Sequence, residues 1–311
     1  MWICNSNFQF ITYFWCILCK VNLLLGVPIR GITLRRRNSE SKVSEVSRTL
    51  DYAKILKAGD HGVFFYWRPQ EKHEVLFNFL QAGFQKGEGA IYVASQENSK
   101  QIRRHMEDFG FNVKALERDG VLRIFDYDNW YIIDGELNVS HLAMMSQHVF
   151  DEAMEIGLKG LRGCGETACF FELKKEKELL EYELMVGRKL ALPVTVLCAY
   201  DANHAKFLEE KLFISLIKAH GPVVTSSFAQ EIKFENFFSA ISQNVLETMF
   251  GEMGRKVILE ILAERYSLTP HKIAEDPVAF IEGLEKLIGS GSYVVSKSLV
   301  RQMHLKIGIR R

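Results

Sequence analysis

Gly59-Asp60-His61-Gly62-Val63-Phe64-Phe65-Tyr66 opens the stretch whose pattern decides the fold. Within it Val63-Phe64-Phe65-Tyr66 is a short apolar run, bounded by Gly62 and Pro69, which predicts a buried strand. A helix follows, with Val75, Leu76, Phe79 and Leu80 at helical spacing and Gly83 and Gly87 marking its end. Residues 90–94 predict a second strand, and Asn98 an N-cap for a helix through Met106. Further strands are expected at 121–125, 159–162, 194–198 and 222–225, with helices at 138–156, along Leu179, Tyr182, Val186 and Leu190, and around 207–217. This alternation predicts an α/β fold, a mostly parallel sheet with helices on both faces. Ligands of such sheets sit beyond the carboxyl ends of the strands.

Outward from this core, 311 residues suggest more than one domain. The expected division is an apolar N-terminal segment with a basic linker at 1–49, the α/β part at 50–227 and a helical part at 228–311. A formal net charge of +1 supplies no global field that would draw the chain to nucleic acid or an acidic surface. The six cysteines show no framework of short, even spacings, which points to a reducing compartment. Cys16 and Cys19 form a C-x-x-C, but in an apolar run rather than between a strand and a helix.

Residues 8–27 approach the length of a membrane span, interrupted by Gln9, Lys20 and Asn22 and followed by Arg30, Arg35, Arg36 and Arg37. Two readings stay open: a membrane anchor, or an upstream extension foreign to the native protein. In both, the globular part is expected in the cytoplasm.

Several stretches carry a resemblance. Beside residues 59–66 they are Phe79-Leu80-Gln81-Ala82-Gly83-Phe84-Gln85-Lys86-Gly87-Glu88, Leu161-Arg162-Gly163-Cys164-Gly165-Glu166, Leu180-Glu181-Tyr182-Glu183, Val196-Leu197-Cys198-Ala199-Tyr200-Asp201 and His220-Gly221-Pro222. In order and spacing they resemble the MEDS sensory domain of methanogen and methylotroph proteins. The resemblance implies a RecA-like three-layer fold and the sensing of small organic ligands. It also implies signature His and Cys residues, of which His61 and Cys198 are present; the usual cysteine two residues after the first histidine is Val63 here.

The phosphate loop of RecA-class ATPases, G-x-x-x-x-G-K-[ST], has no counterpart with glycine in Trp67-Arg68-Pro69-Gln70-Glu71-Lys72, so an enzyme that hydrolyses nucleotide is not expected. Candidate ligand-binding residues are Glu166 and Cys164 in an expected Gly-Cys-Gly-Glu turn, Cys198, Tyr200 and Asp201 at the end of the next strand, Arg68, and His61. Each has a plainer alternative: a capping acid for Glu166 and Asp201, a small core residue for Cys198. His61 precedes its strand, which would set it roughly 16 Å from the opposite edge and disfavour Cys198–His61 chemistry. His73 and His105 read as solvated helix residues. No cofactor is expected, and Cys164 and Cys169, with four residues between them, match no strong zinc spacing.

After Ser226 the period becomes helical. Phe234, Phe237, Phe238, Ile241, Val245 and Met249 share a face, Gly251 and Gly254 break the helix, 256–266 forms a second, Asp276-Pro277 starts a third, and a last one runs from Tyr293. The segment is similar to small helical output domains of archaeal signalling proteins. Lys297, Arg301, Lys306, Arg310 and Arg311 form a basic run that reads as a solvated face, with DNA binding as the alternative. The expected function is therefore sensing: a small organic ligand binds the α/β part and changes the helical part, which could engage a protein partner. The alternatives are a scaffold without ligand and a Cys/His enzyme.

Overall fold

The computed structural model describes residues 48–188 and 192–309. The described residues all belong to one compact unit. Residues 8–27, with Cys16 and Cys19, Leu190, Arg310 and Arg311 lie outside the described residues. Among the described residues no helix is long and apolar enough to cross a membrane.

Seven strands form one sheet in the order β3-β2-β6-β7-β1-β8-β9. They are β1 (His61–Tyr66), β2 (Gly89–Ala94), β3 (Leu122–Asp126), β6 (Leu161–Glu166), β7 (Val194–Asp201), β8 (Pro222–Thr225) and β9 (Phe228–Glu231). All pairings are parallel except β8 with β9. A small antiparallel pair, β4 (Ile132–Ile133) and β5 (Glu136–Leu137), stands apart from it. The expected α/β architecture is present, and the strand register assigns every strand residue to one of two faces.

One face carries Phe64, Tyr66, Tyr92, Cys164, Leu197 and Val224 and packs on α1 (Pro69–Lys86), α2 (Ser99–Phe109), α3 (Val113–Arg118) and the helical residues 48–55. The other carries Val63, Phe65, Ile91, Val93, Cys198 and Tyr200. It packs on α4 (Val139–Glu155), α5 (Ala168–Glu172), α6 (Glu176–Arg188) and α8 (Glu210–Ala219). Helices thus cover both faces, the three-layer arrangement that the resemblance implied. Local signals start and stop these helices as expected. Asn98 makes a full capping box with Gln101, Asn138 accepts from His141 N–H, and Gly87 ends α1 at a left-handed φ of 79°.

Two motifs of the sequence prove to be one structural device. Arg162 is fully buried under α1, its guanidinium 4.6 Å from the Phe79 ring centre and its Nε 2.5 Å from Glu88 Oε2. Gly83 lies inside α1, not at its end, and a Cβ there would strike the Arg162 stem.

The C-terminal helices are α9 (Phe234–Tyr266), α10 (Pro270–Glu275), α11 (Pro277–Ile288) and α12 (Gly291–Lys306). α9 kinks at Gly251, whose φ of 73° no helix residue adopts; Gly254 continues the helix. The bundle shares its core with the sheet, because Val63, Phe213, Phe238, Phe280 and Met303 belong to one buried cluster. α8 is the intermediary. Phe213 meets the His304 ring edge-on at 4.3 Å, Lys211 pairs with Glu282, and Glu210 with Lys297. Thr225 Oγ1 also donates to the Ile307 carbonyl. Lys297 of the basic run is therefore ion-paired rather than free.

Candidate functional site

Two strands run further than their apolar patterns suggested. β6 extends to Glu166, so Gly163-Cys164-Gly165-Glu166 is strand rather than turn, and β7 extends to Asp201. A strand residue's side chain alternates between faces, and this splits the candidate residues. Cys164 and Glu166 belong to the face under α1, whereas Cys198 and Tyr200 point to the face under α6 and α8.

On the α1 face, Glu166 is wholly buried and fully engaged. Tyr92 donates to Oε1 at 2.6 Å, the Ser95 and Gln96 amides donate to Oε2 at 2.9 and 2.7 Å, and Lys72 Nζ lies 2.7 Å from Oε1. Lys72 is equally buried and also contacts Glu97 at 2.8 Å. Glu97 in turn receives His73 Nε2 at 2.6 Å and His105 Nε2 at 3.0 Å. His73 and His105 are thus drawn onto one carboxylate rather than solvated separately. Burial works against charge on Glu97, but hydrogen bonds from His73 and Lys72 win and hold its pKa at about 2.

On the opposite face a second buried polar centre gathers around Glu183. His61 Nε2 is 3.0 Å from Glu183 Oε2, His220 Nε2 is 3.3 Å from the same oxygen, and Cys198 Sγ is 3.4 Å from it. Tyr200 donates to Oε1. His61 Nε2 also lies 3.5 Å from Cys198 Sγ, and the two imidazoles are 4.1 Å apart. The expected separation of His61 from the cysteine is therefore absent, for two reasons. His61 is the first residue of β1 rather than a residue before it, and Cys198 sits in mid-β7, two positions beyond Val196, the register partner of His61.

Burial opposes the charge of Glu183, but His220 and His61 hold its pKa well below the usual carboxylate range. Burial, then the Glu183 charge, pushes the Cys198 thiol well up. Burial thus favours the protonated thiol, whereas the thiolate is the reactive species.

On the same face of the sheet as the Glu183 centre lies an apolar cavity of about 60 Å³, lined by Ile91, Val93, Trp130, Gly163, Tyr182 and Val196 among others. It exists because β6 presents glycine there. A Cβ on Gly163 would meet nothing closer than Val196 at 3.6 Å, whereas a Cβ on Gly165 would land on the Tyr131 hydroxyl.

Two remaining candidates fall elsewhere. Asp201 caps α7 (Ala202–Ala205) by accepting from Asn203 N–H at 2.7 Å, the plainer of its two expected roles. Arg68 is exposed at the N-cap of α1 and makes no capping bond. Reasoning from sequence missed Glu183, His220, Tyr92 and Lys72. For Glu183 a signal existed, because it stands beside Leu179, Tyr182 and Val186 on the apolar stripe of α6, where a carboxylate must find a buried partner. His220 stood in the His220-Gly221-Pro222 motif without a role.

The family model described as "MEthanogen/methylotroph, DcmR Sensory domain" matches residues 60–220, a span that begins just before His61 and ends on His220. The circadian clock oscillator protein KaiC of Thermostichus vulcanus is 31% identical over 106 residues, covering 31% of this chain and 19% of that protein. A UPF0273 protein of Thermotoga maritima is 44% identical over 48 residues, 15% of this chain and 20% of its own length. The chain thus spans about a fifth of these curated relatives. A solved KaiC-like protein from Pyrococcus horikoshii OT3 aligns with 18% identity and a TM-score of 0.39, covering 54% of this chain and 71% of that one. With just over half of its length matched in order, this chain belongs to the MEDS family of sensory domains.

Proposed function

We propose that the chain senses a small, largely apolar organic molecule in the cavity over Gly163 and passes the occupancy to its C-terminal helices. The observation that carries this reading is the cavity itself. Its lining is apolar, and its volume suits roughly four or five water-sized groups, the scale of a one- to three-carbon compound. Such a pocket, apolar with a few polar groups nearby, is the usual form of a small-ligand site. Tyr182 and Val186 of α6 form part of the wall, α6 packs on α8, and α8 packs on α11 and α12. A displacement of α6 by ligand therefore has a contiguous packed route to the bundle.

The test uses dichloromethane and methanol as probes on the full-length protein and on Gly163→Val, which fills the cavity from the strand. Ligand binding to the native state alone raises apparent stability by RT ln(1 + [L]/Kd). A midpoint increase with one of these probes that disappears in Gly163→Val supports the reading. An equal response of both proteins, or no response in either, rejects it.

A further inference from the structure

We infer that His61, Glu183, Cys198 and His220 together bind a single zinc-class divalent ion. The four candidate donor atoms, one from each residue, lie within 4.8 Å of one another, and all four residues are buried. Zinc binds nitrogen and oxygen at about 2.0 Å and sulfur at about 2.3 Å, and a tetrahedron of that size separates its ligands by roughly 3.3–3.7 Å. Four of the six separations here, 3.0, 3.3, 3.4 and 3.5 Å, fall at or within a few tenths of an ångström of those edges.

The surroundings fit as well. His220 Nδ1 lies 2.8 Å from the Leu216 carbonyl, which fixes the tautomer with Nε2 as the free lone pair. That Nε2 faces Glu183 Oε2 at 3.3 Å in a wholly buried place, so it points at the centre of the cluster. The second carboxylate oxygen of Glu183 accepts from Tyr200, the outer-shell support that ligating carboxylates normally have.

Charge closes the argument. On binding, the Cys198 S–H bond breaks, the proton leaves to solvent and a sulfur–metal bond forms. One thiolate and one carboxylate then neutralise the dication, which a buried site requires. Four protein ligands from β1, α6, β7 and the end of α8 leave no open position, the pattern of a structural rather than a catalytic ion. The other histidine cluster, His73, Glu97 and His105, lacks a thiol, and Lys72 already neutralises its carboxylate. This inference does not rest on the sensor reading, because it concerns neither the cavity nor its ligand.

The test strips the full-length protein with a chelator and reloads it with Co(II), a spectroscopic stand-in for Zn(II). It is done in a Cys4→Ser/Cys16→Ser/Cys19→Ser background, so that the N-terminal thiols contribute nothing. One equivalent per chain with a thiolate-to-cobalt charge-transfer band, displaced by Zn(II), is expected. Cys198→Ser should abolish the band, His220→Gln should weaken uptake at least tenfold, and Tyr200→Phe should weaken it roughly 10–100-fold. His73→Ala/His105→Ala should bind as the parent does. Absence of stoichiometric uptake or of the band in the parent protein overturns the inference without any variant. So does uptake that survives His220→Gln but is lost in His73→Ala/His105→Ala.

Discussion

Lys72 Nζ lies 2.7 Å from Glu166 Oε1, and neither side chain has exposed surface. The pair joins the first turn of α1 to the end of β6 across the sheet face. Removing one partner of a buried pair leaves the other charged and unpaired, which costs about 3–5 kcal/mol. Glu166→Gln and Lys72→Met are each expected to lose stability in that range. The double variant should lose less than the sum of the two. Urea unfolding of the four proteins measures this coupling, and strict additivity would show that the contact carries no energy.

The same lysine bears on nucleotide chemistry. Aligned on Lys72, the two glycines of the phosphate-loop pattern fall on Tyr66 and Glu71, and its hydroxyl residue on His73. Pro69 occupies the start of α1 and removes an amide donor from the turn. With the ammonium held by Glu166 and Glu97, no phosphate cradle is left. Phosphate release from ATP by the purified full chain is expected to equal a buffer control. Release well above it, tracking the protein through a further column, contradicts this.

Gly163 and Gly165 look equivalent in the sequence and are not. Gly163→Ala should be neutral or stabilising by about 0.4–1 kcal/mol, since it reduces unfolded-state freedom without contact strain. Gly165→Ala should be destabilising, because its methyl falls on the Tyr131 hydroxyl. The ring carbon behind that hydroxyl stands 3.5 Å from the added methyl, an ordinary contact. Tyr131→Phe should therefore restore most of the loss in Gly165→Ala. Unfolding midpoints of the three variants decide it; a failure of rescue would locate the strain in the backbone.

Periodicity made the sheet, its helices and most caps readable. It could not place the ends of β6 and β7. Gly163 and Gly165 resemble a turn until Tyr131 and the cavity are seen to occupy the space above them. Of the site, His61, Cys198, Tyr200 and Glu166 were legible singly, but not their partners Glu183, His220, Tyr92 and Lys72 or their grouping. Faces are set by register, so Glu166 and Cys198, both near expected strand ends, parted to opposite sides. His61, Glu183 and His220 came together from 122 and 37 positions apart along the chain. Arg162, Gly83 and Glu88 show the converse: a motif visible in the sequence whose cause is one ion pair built on a buried arginine.

Glu97 gives a pH dependence with a definite sign. Its pKa falls from 4.5 to about 2 in the folded state. A depressed carboxylate contributes stability above its unfolded value, and that contribution is lost as pH falls through the folded value. The difference in unfolding free energy between the parent and Glu97→Gln should therefore shrink from about pH 4.5 down to about pH 2. Denaturation at stepped pH measures it. A difference independent of pH across that window would mean that His73 and Lys72 do not hold the charge.

The shared core makes a claim about cooperativity. Phe280 of α11 is completely buried, stacks edge-on against Phe238 at 6.2 Å, and belongs to the same apolar cluster as Val63 and Val223 of the sheet. Phe280→Ala should cost about 3–5 kcal/mol through lost burial and the cavity it leaves. If α8 binds sheet and bundle into one cooperative unit, that loss is felt in both. Amide hydrogen exchange in β1 and β8 should then accelerate by the same factor as exchange in α11 and α12, because all open through the same global unfolding. Acceleration confined to the C-terminal helices would instead make residues 50–227 an independent unit. The packing of Phe213 on His304 would then be a docking contact, weak enough to part while the sheet stays folded.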